Sequence, residues 1–135
     1  MNDFMRSITD EELVAEAKRK EMWGMTMNEY QALARRTSNT NGPEQASYDK
    51  LINGVMGLCG EAGECIDVVK KTMFQQHELD TDKLIEELGD VLWYCAELAS
   101  GLGVSLEDVA LINVEKLKAR YPEGFDAERS INRDD

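Results

Sequence analysis

The clearest pattern along the chain is an apolar residue returning every three or four positions, the period of a helix with one face turned inward. From about Glu44 to Phe74 it runs through Leu51, Val55, Leu58, Ala62, Cys65, Ile66, Val69 and Met73. This predicts one long central helix, with Lys70 and Lys71 favourably placed near its C-terminal end. From Thr81 to about Ser100, the residues Leu84, Leu88, Val91, Cys95, Leu98 and Leu102 alternate steps of four and three, a seam suited to another helix. A polar turn from His77 to Asp80 separates the two.

Shorter helices are marked by their starts, because a Ser or Thr followed three residues later by Glu or Asp can satisfy first-turn N–H groups from both sides. Thr9 with Glu12 predicts a helix to about Met22, and Thr26 with Glu29 a second that contains Tyr30, Leu33 and Ala34 and ends near Arg36 and Thr37. Ser105 with Asp108 opens another that runs to about Tyr121, where Pro122 stops it, and Gly101 and Gly103 end the helix before it. Ser38 to Gly42, followed by Pro43, reads as a polar loop and a candidate lid. The stretch from Glu123 to Asp135 reads as a charged, extended tail. Nothing reads as a strand or an internal repeat.

Composition then narrows the function. A chain of 135 residues fits a single domain that buries about 70% of its unfolded surface. With 27 acidic and 15 basic residues the net charge is −12, which excludes a surface built to neutralise nucleic-acid phosphates. Any phosphate-bearing ligand would need a divalent cation between itself and such a protein. Cys59, Cys65 and Cys95 show no CxxC spacing and sit in apolar helical patterns, so they read as reduced core residues. No apolar stretch reaches the roughly 20 residues of a membrane span, and the N-terminus lacks a signal-peptide profile. The expectation is a cytoplasmic protein with neither a nucleic-acid nor a membrane partner. Apolar residues on more than one side of the helix from Leu51 to Met73 further predict a homodimer or homotetramer.

The sharpest chemical signal is acidic. Glu61 and Glu64 lie three apart on the central helix, and Glu87 and Asp90 three apart on the next. Such residues are surface neighbours, so each pair converges, and two antiparallel helices can bring the pairs face to face. Four carboxylates without a histidine make a hard oxygen site for Mg²⁺ or Mn²⁺ rather than zinc. Acidic pairs arise by chance in a chain this acidic, but from Leu51 to Val69 the only charged residues are Glu61, Glu64 and Asp67. Of the four acids, only Glu87 has a cation at helical spacing, Lys83. Gly54, Gly57, Gly60 and Gly63 also recur every three residues, each at a cost of about 0.8–1.0 kcal/mol to a helix. They leave room either for a close helix crossing or for a ligand beside the acids.

At these residues the chain resembles the MazG-like all-α nucleoside triphosphate pyrophosphohydrolases, whose hallmark is ExxE on one helix and ExxD on the next. Glu61, Glu64, Glu87 and Asp90 match in type, order and spacing, and GEAGE and EELGDVLWY agree around them. Some members carry a further Glu where this chain has Gly60. The resemblance spans roughly Met25 to Arg133. It implies an all-α antiparallel bundle of about five helices in a single domain over 1–135, with 1–24 an N-terminal helical extension and 123–135 a C-terminal tail.

It also implies a Mg²⁺-dependent cleavage between the α and β phosphates of a nucleoside triphosphate, giving the monophosphate and pyrophosphate, as housekeeping of the nucleotide pool. Glu61, Glu64, Glu87 and Asp90 would serve as metal ligands and catalytic residues, with Glu86 a further proton acceptor. Asn113, Lys116 and Arg120, which share a helical face, would meet the triphosphate, and Lys118 would stay in solvent. Trp93 and Tyr94 are candidates for the base, as are Tyr30, Tyr48 and Trp23, although aromatic residues at helical spacing also serve as core. His77 reads as a surface residue. The alternative is a non-catalytic, oligomeric helical protein that binds nucleotide or metal. A di-iron bundle is disfavoured, since that chemistry needs ExxH pairs and the single histidine is not so placed.

Overall fold

The computed structural model describes residues 24–40 and 46–132. The helix expected from Thr9 to Met22, the extension over 1–24 up to residue 23, Trp23, the end of the polar loop and the last three residues lie outside them.

Among the described residues every element is helical: α1 (Met27–Ala34) with a 3-10 turn (Arg35–Thr37), α2 (Ala46–Gln75), α3 (Thr81–Leu102), α4 (Leu106–Arg120) and α5 (Ala127–Ile131). The two long helices make the most extensive packing, as an antiparallel hairpin in which Gly54 meets Leu98 and Gly57 meets Tyr94. Both capping boxes expected within the described residues form. Thr26 Oγ1 accepts from Glu29 N at 3.1 Å while Glu29 accepts from Thr26 N at 2.7 Å, and Ser105 and Asp108 do the same for α4. Asp80 caps α3 by accepting from Lys83 N.

Four differences from the sequence reading have local causes. Gly101 lies inside α3, and the stop falls at Gly103, whose φ of 72° is the left-handed turn that glycine adopts freely. The tail is not wholly extended: Asp126 accepts from Arg129 N and opens α5. Cys59 is exposed rather than in the core, because it lies on a side of α2 turned away from α3. The Ser38–Thr40 part of the candidate lid is fastened down, as described below.

Among the described residues the buried apolar core is small: Ala34, Ala96, Ala99 and Leu106, with Tyr30, Trp93 and Cys95 packed against it. Alanines let α1 lie close on α3, and polar groups complete the joint. The buried Gln31 donates to Ser100 Oγ at 3.1 Å and to the Val104 carbonyl at 3.0 Å, and accepts from Leu106 N at 2.8 Å. That last bond satisfies one of the N–H groups that a helix start leaves open, so α1 holds α4 by its first turn.

Candidate metal and nucleotide site

The acidic residues meet midway along the α2–α3 hairpin. One carboxylate oxygen from each of Glu61, Glu87 and Asp90 lies within 4.8 Å of the others. Glu61 is half-buried, Glu87 is buried and Asp90 is exposed, so the cluster opens outward along one side of the hairpin. Glu64, one turn beyond Glu61, is exposed and outside this close group, although its negative charge is felt at Glu61. Three of the four expected acids therefore converge, and the fourth stands beside them.

The crowding has an electrostatic signature. Partial burial raises the pKa of Glu61 first, and then Asp90 and Glu87 raise it further by their charges, with a hydrogen bond to Glu87 adding to this. Among the described residues a single cation reaches the group: Lys83 Nζ lies 2.7 Å from Glu87 Oε1 and 3.6 Å from Glu86, and these contacts raise the lysine pKa, Glu87 most strongly. Asp67 is different. Lys70 and Lys71 hold it at 2.7 and 2.5 Å and lower its pKa to about 2 by hydrogen bonding, so this acid of α2 is already neutralised.

An all-oxygen donor set, one member removed from water and the set bearing three carboxylates against one lysine, fits a hard divalent cation. A Cβ added at Gly60 or Gly63 would meet nothing within 4 Å. Gly54 and Gly57 serve the other purpose: a Cβ at Gly54 would sit 2.9 Å from the backbone of Leu98, and one at Gly57 would sit 2.1 Å from the Tyr94 ring. The glycine run divides into a close crossing and an open stretch, and Gly57, expected to leave space beside the acids, is filled by tyrosine.

The aromatic candidates separate likewise. Tyr94 is committed to the crossing over Gly57, with its ring edge-on to Trp93 at 4.9 Å. Trp93, half-buried one turn beyond Asp90, donates from Nε1 to Thr37 Oγ1 at 2.9 Å. Burial raises the Tyr30 pKa, and the Asp90 charge adds to the shift, which places this α1 residue beside the acidic group. Tyr48 and His77 are exposed.

Asn113, Lys116 and Arg120 lie along α4, which packs chiefly on α1 and the end of α3 rather than on the acidic stretch of α2. Among the described residues the side chains of all three are free of hydrogen bonds and ion pairs, whereas Lys118 pairs with Glu115 at 3.0 Å.

One polar cluster escaped the sequence reading. Glu97, 2% exposed, accepts from Ser38 Oγ at 2.8 Å and Thr40 Oγ1 at 2.5 Å. The buried Lys50 donates to Thr40 Oγ1 at 3.0 Å and to the Thr40 carbonyl. Together they fasten Ser38–Thr40 across both long helices. A signal did exist, since Glu97 is the only charged residue between Asp90 and Glu107, but its partners lie far away in sequence.

Comparison with known proteins agrees with this geometry. The MazG nucleotide pyrophosphohydrolase domain matches residues 52–125, which include all four acids and the α4 residues. The chain is also similar to the Gene 37 protein of Mycobacterium phage L5, with 43% identity over 82 residues that span 58% of this chain and 72% of the phage protein. No solved structure matches. Helical hairpin, paired acids and the extent of the match lead to one conclusion: the chain belongs to the MazG nucleotide pyrophosphohydrolase domain family.

Proposed function

We propose that the chain hydrolyses a nucleoside triphosphate between the α and β phosphates, releasing the monophosphate and pyrophosphate, with Mg²⁺ or Mn²⁺ as cofactor. The observation that carries this reading is the meeting of Glu61, Glu87 and Asp90 within 4.8 Å. Those three hold the cation, and Glu64 completes the set of four. A bound Mg²⁺ supplies Lewis acidity to phosphoryl oxygens and lowers the pKa of a water.

The chain's own groups do the rest. Water adds across the anhydride, one phosphate takes its oxygen, and a carboxylate accepts the proton that is lost. Glu64, left out of the close group and feeling Lys71 only through its charge, is better suited to accept it than Glu86, which Lys83 approaches at 3.6 Å. Asn113, Lys116 and Arg120 meet the triphosphate, a role supported by their lack of other partners. Trp93 borders the nucleoside, and Tyr94 shapes the wall behind it through its packing on Gly57. Housekeeping of the nucleotide pool in the cytoplasm, by a homo-oligomer, is the setting that goes with this chemistry. Cys59, Cys65 and Cys95 are free thiols, in keeping with a reducing compartment.

Pyrophosphate release from a panel of nucleoside triphosphates with Mg²⁺ tests the proposal. Asp90→Asn and Glu61→Gln are expected to lose at least about 100-fold in turnover, the scale of losing one charged stabilising group. Equal turnover in wild type and both variants would remove the site. Nucleotide binding by calorimetry without product would favour the non-catalytic alternative.

A further inference from the structure

We propose that Asn53 reads the nucleobase: its side-chain amide hydrogen-bonds the edge of the base in the triphosphate that the acidic group holds. This deepens the hydrolase reading above and rests on it.

The register of the hairpin places Asn53. On α2, Asn53, Gly57, Gly60 and Glu64 follow in steps of four, three and four, which keeps them on one side of the helix. That stripe is polar or glycine throughout, in a helix that is otherwise largely apolar. On α3, Asp90, Trp93 and Glu97 follow in steps of three and four, again on one side. Gly54 meets Leu98 and Gly57 meets Tyr94, so Glu61 comes level with Asp90 and Asn53 with Leu98. In an antiparallel pair these stripes border one groove, and Thr40 crosses it by bonding both Glu97 of α3 and Lys50 of α2.

This groove has a closed end, a floor and an acidic end. The Thr37–Thr40 segment closes it at Lys50, one turn before Asn53. The Tyr94 ring on Gly57 is its floor. The acids lie beyond, Glu61 being eight residues and about 12 Å from Asn53 along α2. A nucleoside whose phosphates meet the cation therefore extends its base over Tyr94, between Trp93 and Asn53.

Unmet hydrogen-bonding capacity singles Asn53 out. It is half-buried, yet among the described residues its amide makes no hydrogen bond, not even to the backbone of its own helix. No unpartnered side-chain nitrogen or oxygen is sealed from solvent among those residues, so the amide opens to water on the groove side. Asparagine is also a poor helix former, and nothing in the folding of α2 calls for one here. The neighbouring polar groups are already engaged: Trp93 Nε1 with Thr37, the Ser38 and Thr40 hydroxyls with Glu97, and Lys50 with Thr40. Trp93 thus offers a base only its ring, and stacking is tolerant of base identity. An amide sets a donor beside an acceptor, the arrangement that base edges complement. The Tyr94 hydroxyl is the other group left open, but its ring is held by the crossing at Gly57.

Pyrophosphate release with Mg²⁺ tests the proposal, using nucleoside triphosphates and the base-free deoxyribose 5′-triphosphate. Asn53→Leu, close in size and a better helix former, should raise KM for nucleoside triphosphates about tenfold, the worth of one hydrogen bond, with kcat unchanged. Asn53→Ala should do the same. KM for the base-free substrate should be equal in all three proteins, and neither variant should melt lower than wild type. An equal loss on both kinds of substrate would overturn the proposal, because Asn53 would then serve the sugar, the phosphates or the fold. So would a loss borne by Tyr94→Phe while both Asn53 variants match wild type. Should wild type release no pyrophosphate from any triphosphate, the hydrolase reading fails and the same comparison, made on Kd by calorimetry, decides Asn53 separately. Tenfold weaker nucleotide binding in the variants then upholds it, and equal or absent binding overturns it.

Discussion

The α2–α3 hairpin holds carboxylates at two levels and treats them in opposite ways. Toward the α1 end, Glu97 is buried and met by two hydroxyls, with Lys50 behind them, and the helices touch through Gly54 and Gly57. Further along, Glu61, Glu87 and Asp90 crowd together with one lysine between them, and Gly60 and Gly63 face open space. The helices are the same at both levels. What differs, among the described residues, is what reaches them from outside: the Ser38–Thr40 segment at one, and at the other only the side chains of the hairpin and α1. A buried charge with its own partners becomes a strut, and a crowd of charges short of partners becomes a place for a cation.

The sharpest way to break this comparison is to remove one carboxylate from each level. Glu97→Ala should cost about 3 kcal/mol in urea denaturation, because the Ser38 and Thr40 hydroxyls lose a charged, buried acceptor. Asp90→Asn should leave the ion-free protein as stable as wild type or more so. Large losses in both would mean that the acidic group is structural too.

Cation binding should act next most strongly. At a Mg²⁺ concentration of a hundred times Kd, wild type should gain about 2.7 kcal/mol, seen as a higher Tm, and Glu61→Gln should gain much less. The sign with pH follows from Glu61: its raised pKa means that the folded state binds the proton more tightly than the unfolded chain does. Its contribution in ion-free protein is therefore favourable below the ordinary value of 4.5 and is lost as pH rises through the folded value. Mg²⁺ should restore stability above that window and not below it.

A smaller effect separates the glycines. Gly54→Ala should cost about 1–3 kcal/mol, since its new methyl meets backbone rather than a movable side-chain tip. Gly60→Ala should instead stabilise by up to about 0.8 kcal/mol through helix propensity, in thermal melts without substrate. Least of all, Asp67→Asn should cost only a little near neutral pH, as expected for an exposed ion pair. Because Lys70 and Lys71 lower the Asp67 pKa to about 2, its contribution is present above 3.8 and fades as pH falls toward 2, so the small difference in stability between the two proteins should close there in an acid titration.

These contrasts also mark how far a sequence can be read. Local chemistry was legible: Thr26 with Glu29, and Ser105 with Asp108, needed only neighbours three residues away to cap α1 and α4. The acids were legible for the same reason. That Glu64 stands aside depends on how α2 is rotated against α3, a property of packing at Gly54 and Gly57 rather than of the acidic spacing itself. Glu97 and Lys50 could not be paired by pattern, since Ser38 and Thr40 join them only after the chain has folded back. The short α5 was missed because its five residues show no period, and it rests on the Asp126 cap and on Arg129 reaching the Arg120 carbonyl at 3.4 Å.

The Gln31 bond to Leu106 N has a mechanical consequence. Past Leu106, α4 is exposed from Glu107 to Ala119 apart from Ala110, so it stands as an arm on a pivot at its first turn. Arg120 lies about 21 Å along that arm, and a swing of about 10° at the pivot carries it nearly 4 Å. The Gln31 amide, with Asn28 donating to Glu107 in the same turn, thus sets the aim of Asn113, Lys116 and Arg120, and Gln31→Ala should loosen that aim while leaving the acidic group in place.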